Sequence, residues 1–159
     1  MRWILLLLMP VFYCSLAAQT PSIRVRGNWS ERVNEADLTA GAGSDLESTY
    51  TSTNGQYTLR ITGFGNTAVQ DAWRVDVRKN DTNWDTALKL FVKRTSNGFG
   101  TGTVSGGTTF QEVTNTDKTF FNGSNDRSFL RVQARVTGVS LTIPPAVYST
   151  AIVFTIVDI

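Results

Sequence analysis

Four runs of strict two-residue alternation limit what this chain can fold into. Tyr57, Leu59 and Ile61 alternate with Thr58, Arg60 and Thr62. Trp73, Val75 and Val77 alternate with Arg74, Asp76 and Arg78, and Leu88, Leu90 and Val92 with Lys89, Phe91 and Lys93. Leu130, Val132, Ala134 and Val136 alternate with Arg131, Gln133, Arg135 and Thr137. Period two with one apolar face marks half-buried antiparallel strands. The inward residues of these runs other than Tyr57, twelve in all, are the expected core. Ile23 to Arg26, Phe110 to Val113, Lys118 to Phe121 and Tyr148 to Val157 add strands, for eight or nine in all.

Turn signals separate the runs: Asn54-Gly55, Gly63 to Asn66, Asn80-Asp81, Asn97-Gly98, Asn122-Gly123 and Pro144-Pro145. The pattern predicts an all-β fold, an antiparallel immunoglobulin-like (Greek-key) β-sandwich. Only Glu31 to Leu38 could form a helical turn. Five glycines between Thr95 and Thr109 superficially resemble a phosphate-binding loop. No helix start follows them, so the segment reads as a mobile hairpin tip.

The first 18 residues form a separate unit. Met1-Arg2-Trp3 gives a positive start, Ile4 to Tyr13 an apolar stretch, and Ser15 to Ala18 small residues for cleavage. This is the layout of a secretory signal peptide, too short for a spanning helix. The expected organisation is a leader over 1–18, a segment over 19–29 able to donate a strand, and one sandwich domain over 30–159. Localisation would be extracellular or at the cell surface, by way of the periplasm if the source cell has two membranes. No membrane span is expected.

Composition removes several functions. The chain has no histidine, and its one cysteine, Cys14, lies in the leader, where it could otherwise mark lipid attachment. Disulfides, thiolate sites and imidazole-based triads are therefore excluded from the mature chain. After cleavage Lys+Arg exceed Asp+Glu by one, too balanced for a strongly basic nucleic-acid binder. The carboxylates Glu31, Glu35, Asp37, Asp45 and Glu47 have no flanking aromatics to bind a sugar, and no lysine stands in a Ser-x-x-Lys setting. No enzyme activity, catalytic residue or cofactor is expected. Asp81, Asn83 and Asp85 imitate the start of a calcium loop, but the glycine and glutamate it requires are replaced by Thr86 and Val92. An Asx-rich turn is the competing reading.

Two surface features remain. Trp84 and Phe99 fall in predicted loops, where an aromatic ring can stack on a sugar or cap the end of the core. Arg60, Arg74, Arg78, Lys89, Lys93, Arg131 and Arg135 occupy outward positions. If their strands share a sheet, that face is basic, with Asp76 as its main counter-charge, and could bind a polyanion. Glycosylation sequons start at Asn28, Asn80 and Asn122.

The C-terminal run from Ile143-Pro144-Pro145 through Tyr148 to Ile159 resembles the ending of spore-coat-U-like and archaic chaperone–usher pilin domains. Ile23, Val25, Gly27 and Trp29, alternating just after the leader, resemble a pilin donor segment. The cysteine pair of many pilins is missing. The resemblance implies a structural fibre subunit that assembles with copies of itself by strand addition, and an export chaperone as a second partner. Ile23, Val25, Gly27 and Trp29 of one subunit would lie beside the last strand of the next, with Ile152, Phe154 and Ile156 lining the acceptor groove. The alternatives are that Ile23 to Arg26 is the first strand of its own domain, and that the protein is a secreted module binding carbohydrate or polyanion.

Overall fold

The computed structural model describes residues 20–65 and 71–159; the expected leader and Cys14 lie outside them. The chain forms β1 (Ser22–Arg26), β2 (Thr49–Thr51), β3 (Tyr57–Thr62), β4 (Ala72–Asn83), β5 (Lys89–Arg94), β6 (Val104–Ser105), β7 (Gln111–Val113), β8 (Lys118–Ser124), β9 (Arg127–Thr137) and β10 (Ser149–Asp158). A 3-10 turn, Glu35–Asp37, is the one helical element among the described residues. All pairings are antiparallel. One sheet runs β1-β3-β9-β5-β7, with β2 also against β9; the other runs β10-β4-β8-β6.

The two sheets pack into a β-sandwich of ten strands. From β3 to β10 successive strands alternate between the sheets, so no two consecutive strands of that run are hydrogen-bonded neighbours. An immunoglobulin domain pairs some consecutive strands within a sheet; this chain crosses layers at each connection of the run.

Eleven of the twelve expected core residues are buried, and Val136 packs half-buried against them. Trp73 is central. Its ring meets Phe121 edge-on at 5.9 Å, and its indole N–H donates to the Asn125 carbonyl at 2.8 Å. A buried indole needs such a partner, because an unpaired N–H in the core is costly. Phe120 and Phe121 are consecutive yet both buried. The β4–β8 register explains this: Val75 faces Phe121 but Asp76 faces Thr119, so the bulge carries Phe120 inward as well.

Three local expectations are corrected. Neither Asn80-Asp81 nor Asn122-Gly123 is a turn: β4 continues to Asn83 with β10 alongside, and β8 runs on to Ser124 between β4 and β6. Two short strands, β2 and β6, add to the eight recognisable runs. The glycine-rich segment is no free hairpin tip: Phe99 pairs with Ser128 through backbone bonds of 2.7 and 2.9 Å.

β2 and β3 behave as one strand interrupted over residues 52–56, both lying along the same side of β9. Ser52 fills the gap. Its N–H donates to the Ala134 carbonyl, its hydroxyl accepts from the Ala134 N–H, and its carbonyl accepts from the Gln133 side chain. The interruption therefore leaves few backbone groups unpaired, as burial demands.

Candidate functional site

Strand register assigns the charged side chains to faces. Directly paired residues of antiparallel strands point to the same side. Val25, Leu59 and Leu130 form one row, and Leu59 and Leu130 are core. The neighbouring rows, Arg24–Arg60 and Arg26–Thr58–Arg131, therefore point outward, and all four arginines are exposed. Further along the same face come Arg135 and Lys93, flanking Phe110 at 3.6 and 4.7 Å from its ring centroid. Lys89 completes the group and pairs with Glu112 at 3.6 Å.

The expected basic face is thus divided. Arg74 and Arg78 belong to the four-stranded sheet, where Asp76 and Asp117 neutralise them. Asp76 is no counter-charge for the other five, which share the six-stranded sheet with Arg24 and Arg26. Among the described residues no carboxylate forms an ion pair with Arg24, Arg26, Arg60 or Arg131. Arg24 and Arg60 are direct cross-strand partners. Like charges so placed destabilise a sheet.

Beside these arginines stands an exposed aromatic pair. Between Leu59–Leu130 and Ile61–Arg127 the register shifts by one, so Arg60 faces a two-residue bulge, Ser128–Phe129. Phe129 takes a left-handed backbone, φ 59°, which costs a non-glycine residue about 1–2 kcal/mol. Its ring is 58% exposed. Phe99, 72% exposed, meets it at 6.0 Å and 74°. Gly98 and Gly100 let Phe99 approach so closely: both have positive φ, and a Cβ on either would collide with the carbonyls of Ser128 and Asp126.

Two buried arginines, Arg94 and Arg127, hold the glycine-rich segment from below. Arg94 donates to the carbonyls of Gly106 and Ser96 and to the Asn97 side chain; Arg127 donates to those of Gly100 and Gly102. Burial, and then the charge of Arg127, lowers the Arg94 pKa. Arg94 continues the inward phase of Leu90 and Val92. That phase was the signal for it.

The other expected sites fall apart or turn inward. Asp81 bonds Lys79 and, at 3.0 Å, Asn115; the Asn83 amide donates to the Val147 carbonyl; Asp85 accepts from the Ala87 N–H. Desolvation works to raise the Asp81 pKa, but the bonds from Lys79 and Asn115 outweigh it and hold the carboxyl low. The three calcium candidates thus serve separate partners, and the Lys79 ammonium already lies against one oxygen of Asp81. Trp84 caps the core: its N–H donates to the Leu88 carbonyl, and Lys79 lies 5.3 Å over its ring. A cavity of about 240 Å³ opens beside it, with that ring face already covered.

The proposed donor segment lies within its own chain. Ile23 pairs with Ile61 and Val25 with Leu59. Gly27 passes so near the Gln56 carbonyl that a Cβ would collide with it, and Trp29 packs half-buried on the core. Phe154 is buried, with Ile152 and Ile156 packed against the same core. β1 and β10 are edge strands of different sheets that touch across the layers, not strand partners within this chain.

One loop contact gives a pH prediction. Asp45 accepts from the Leu141 and Leu46 N–H groups, both at 2.8 Å, and from the Ser140 hydroxyl at 3.0 Å. Those bonds, Leu141 first, hold its carboxyl below the ordinary 3.8. A depressed folded pKa means the tether is complete above the unfolded value and lost as pH falls through the folded one. In an acid NMR titration the Leu141 and Leu46 amide shifts should move together, with a midpoint below 3.8. Asp45→Asn should remove that step.

Among the described residues no helix is long and apolar enough to cross a membrane. No protein-family model matches the chain, and neither a curated protein nor a solved structure matches it.

Proposed function

We propose that this protein is a non-enzymatic binding module, acting after export, that holds an anionic polymer on the outer face of its six-stranded sheet. The Arg24–Arg60 cross-strand pair carries this reading. Two arginines paired directly across strands without a carboxylate cost stability, and an anion shared between them reverses the sign. Arginine suits the task, since its planar fork grips carboxylate, sulfate or phosphate through two hydrogen bonds. Arg26 and Arg131 extend the track along the same face.

Titration with inorganic polyphosphate and with polygalacturonate tests the reading. Binding is expected at low ionic strength and should weaken as salt screens the face. Arg24→Thr/Arg60→Thr should weaken it about tenfold or more, since each charged hydrogen bond contributes roughly 1.5–3 kcal/mol, while leaving the melting temperature unchanged or raised. No binding of either polymer at low salt would overturn the proposal.

The fibre reading, self-assembly by strand addition, is supported by β10. Its outer edge is ten residues long, free of proline, and charged only at Asp158. The other edges are blunted in familiar ways: β1 carries two arginines, and β2, β6 and β7 span three, two and three residues. Donation by β1 would require it to leave β3. Sedimentation across a wide concentration range decides: oligomers abolished by Val153→Lys support assembly through this edge, and a monomer throughout removes it.

A further inference from the structure

Resting on the polyanion reading, we propose that Phe99, Phe129 and Arg60 form a subsite for a uronate-bearing polysaccharide, one pyranose ring packing in the corner of the two phenyl rings with its carboxylate on the guanidinium. Three observations converge there. Two large apolar residues are left largely in solvent, 72% and 58% exposed, on a molecule whose other described aromatics are all buried or half-buried. Phe129 is held in a strained left-handed conformation, and such strain persists where the surroundings enforce it and clusters at ligand sites. The bulge that carries Phe129 stands opposite Arg60, whose guanidinium has no carboxylate partner among the described residues.

The angle between the rings narrows the ligand class. At 74° they offer one face and one edge, a corner for a single saturated ring with apolar C–H groups. Successive nucleic-acid bases instead stack on aromatic platforms along a strongly basic groove. The chain's net charge of +2 is also too low for a nucleic-acid surface. A neutral sugar would leave the guanidinium unused. An anionic polymer without rings would leave the phenyl corner unused. A hexuronate chain satisfies both, and its repeating carboxylates continue onto Arg24, Arg26 and Arg131.

The backbone that carries the corner is tied down before any ligand arrives. Backbone bonds pin Phe99 to Ser128, and Arg127 holds the carbonyls of Gly100 and Gly102 beneath it. Preorganisation of this kind lowers the ordering cost of binding.

The test compares wild type with Phe99→Ser/Phe129→Asn. Asparagine tolerates the left-handed backbone, and both positions are exposed, so circular dichroism and melting temperature should be retained. Affinities are measured for polygalacturonate, inorganic polyphosphate and oligothymidylate, and saturation-transfer NMR reports which sugar protons lie against the protein. The expected result is loss of polygalacturonate affinity by about tenfold or more, with polyphosphate affinity unchanged within twofold and transfer strongest on the ring C–H groups. Unchanged polygalacturonate binding in the variant, with polyphosphate binding intact, overturns the subsite and leaves the polyanion reading standing. Oligothymidylate bound more tightly than polygalacturonate, and lost in the variant, identifies a nucleic acid and also overturns it. Wild type that binds neither polyanion overturns the broader reading, and this inference with it.

Discussion

Val75→Asp is expected to leave no cooperative unfolding transition at room temperature. Val75 is fully buried on β4, between Phe121 of β8 and Ile156 of β10 in the strand register. Neither neighbour offers a donor to a carboxylate. The substitution discards the burial of a valine, about 1.5–3 kcal/mol, and places an unpaired ionisable group in the core. Even the protonated acid lacks a partner, at a further cost of roughly 2–7 kcal/mol. A domain of this size is commonly stable by about 5–15 kcal/mol, so the loss approaches the whole. Loss of near-ultraviolet dichroism and of a calorimetric peak checks it. A calorimetric midpoint within a few degrees of wild type would show that Val75 does not face the core.

The second large effect is expected from Gly98→Ala, in the loop segment that lies against β9. Gly98 has φ 63°, and a Cβ there would run into the Ser128 carbonyl and the backbone of Phe129 and Leu130. A methyl group has no rotamer to escape through. Either β9 shifts, or the segment around Phe99 lifts away and forfeits both bonds to Ser128. The expected destabilisation is about 2–3 kcal/mol, combining strained backbone with the lost bonds. Denaturant titration measures it. Hydrogen exchange should show the Phe99 and Ser128 amides deprotected more than the core strands. Gly41→Ala is the control: its φ is also positive, but nothing lies within 4 Å of the added methyl.

The sandwich was legible because its core strands alternate cleanly. Leu59, Val75, Val92 and Val132 each declare a buried phase without help from the rest of the chain. β2 was not legible, because Thr49–Thr51 has only Tyr50 to declare an inward side. It is a strand through its pairing with residues 135–137 of β9, and Ser52 joins it to β3 through contacts some eighty residues away in sequence. Asn80-Asp81 carries turn chemistry, yet the ten residues of β10 hold it extended. The candidate face was half legible. Alternation set Arg60 and Arg131 outward, but no local pattern tells which strands become neighbours. The Arg24–Arg60 pairing and the division of Arg74 and Arg78 onto the other sheet follow from register alone. Phe129 was not legible at all, since it precedes the alternating run that starts at Leu130 and sits in a bulge defined only by the register with β3.

The layer-to-layer wiring also sets the order in which this chain can fold. β3 waits for β9, and β4 waits for β10, each across more than sixty residues of intervening chain. Closing loops of that length before any pairing rewards them makes folding slow, on the scale of milliseconds to seconds. Local hairpins cannot nucleate the process between β3 and β10, because no consecutive strands in that run pair. During synthesis β4 therefore emerges with both flanks bare; β8 can cover one of them, but the other stays open until residues 149–158 have been made. A nascent chain of this design is most vulnerable to aggregation just before completion, and C-terminal truncations within β10 should accumulate as insoluble protein rather than as a smaller sandwich.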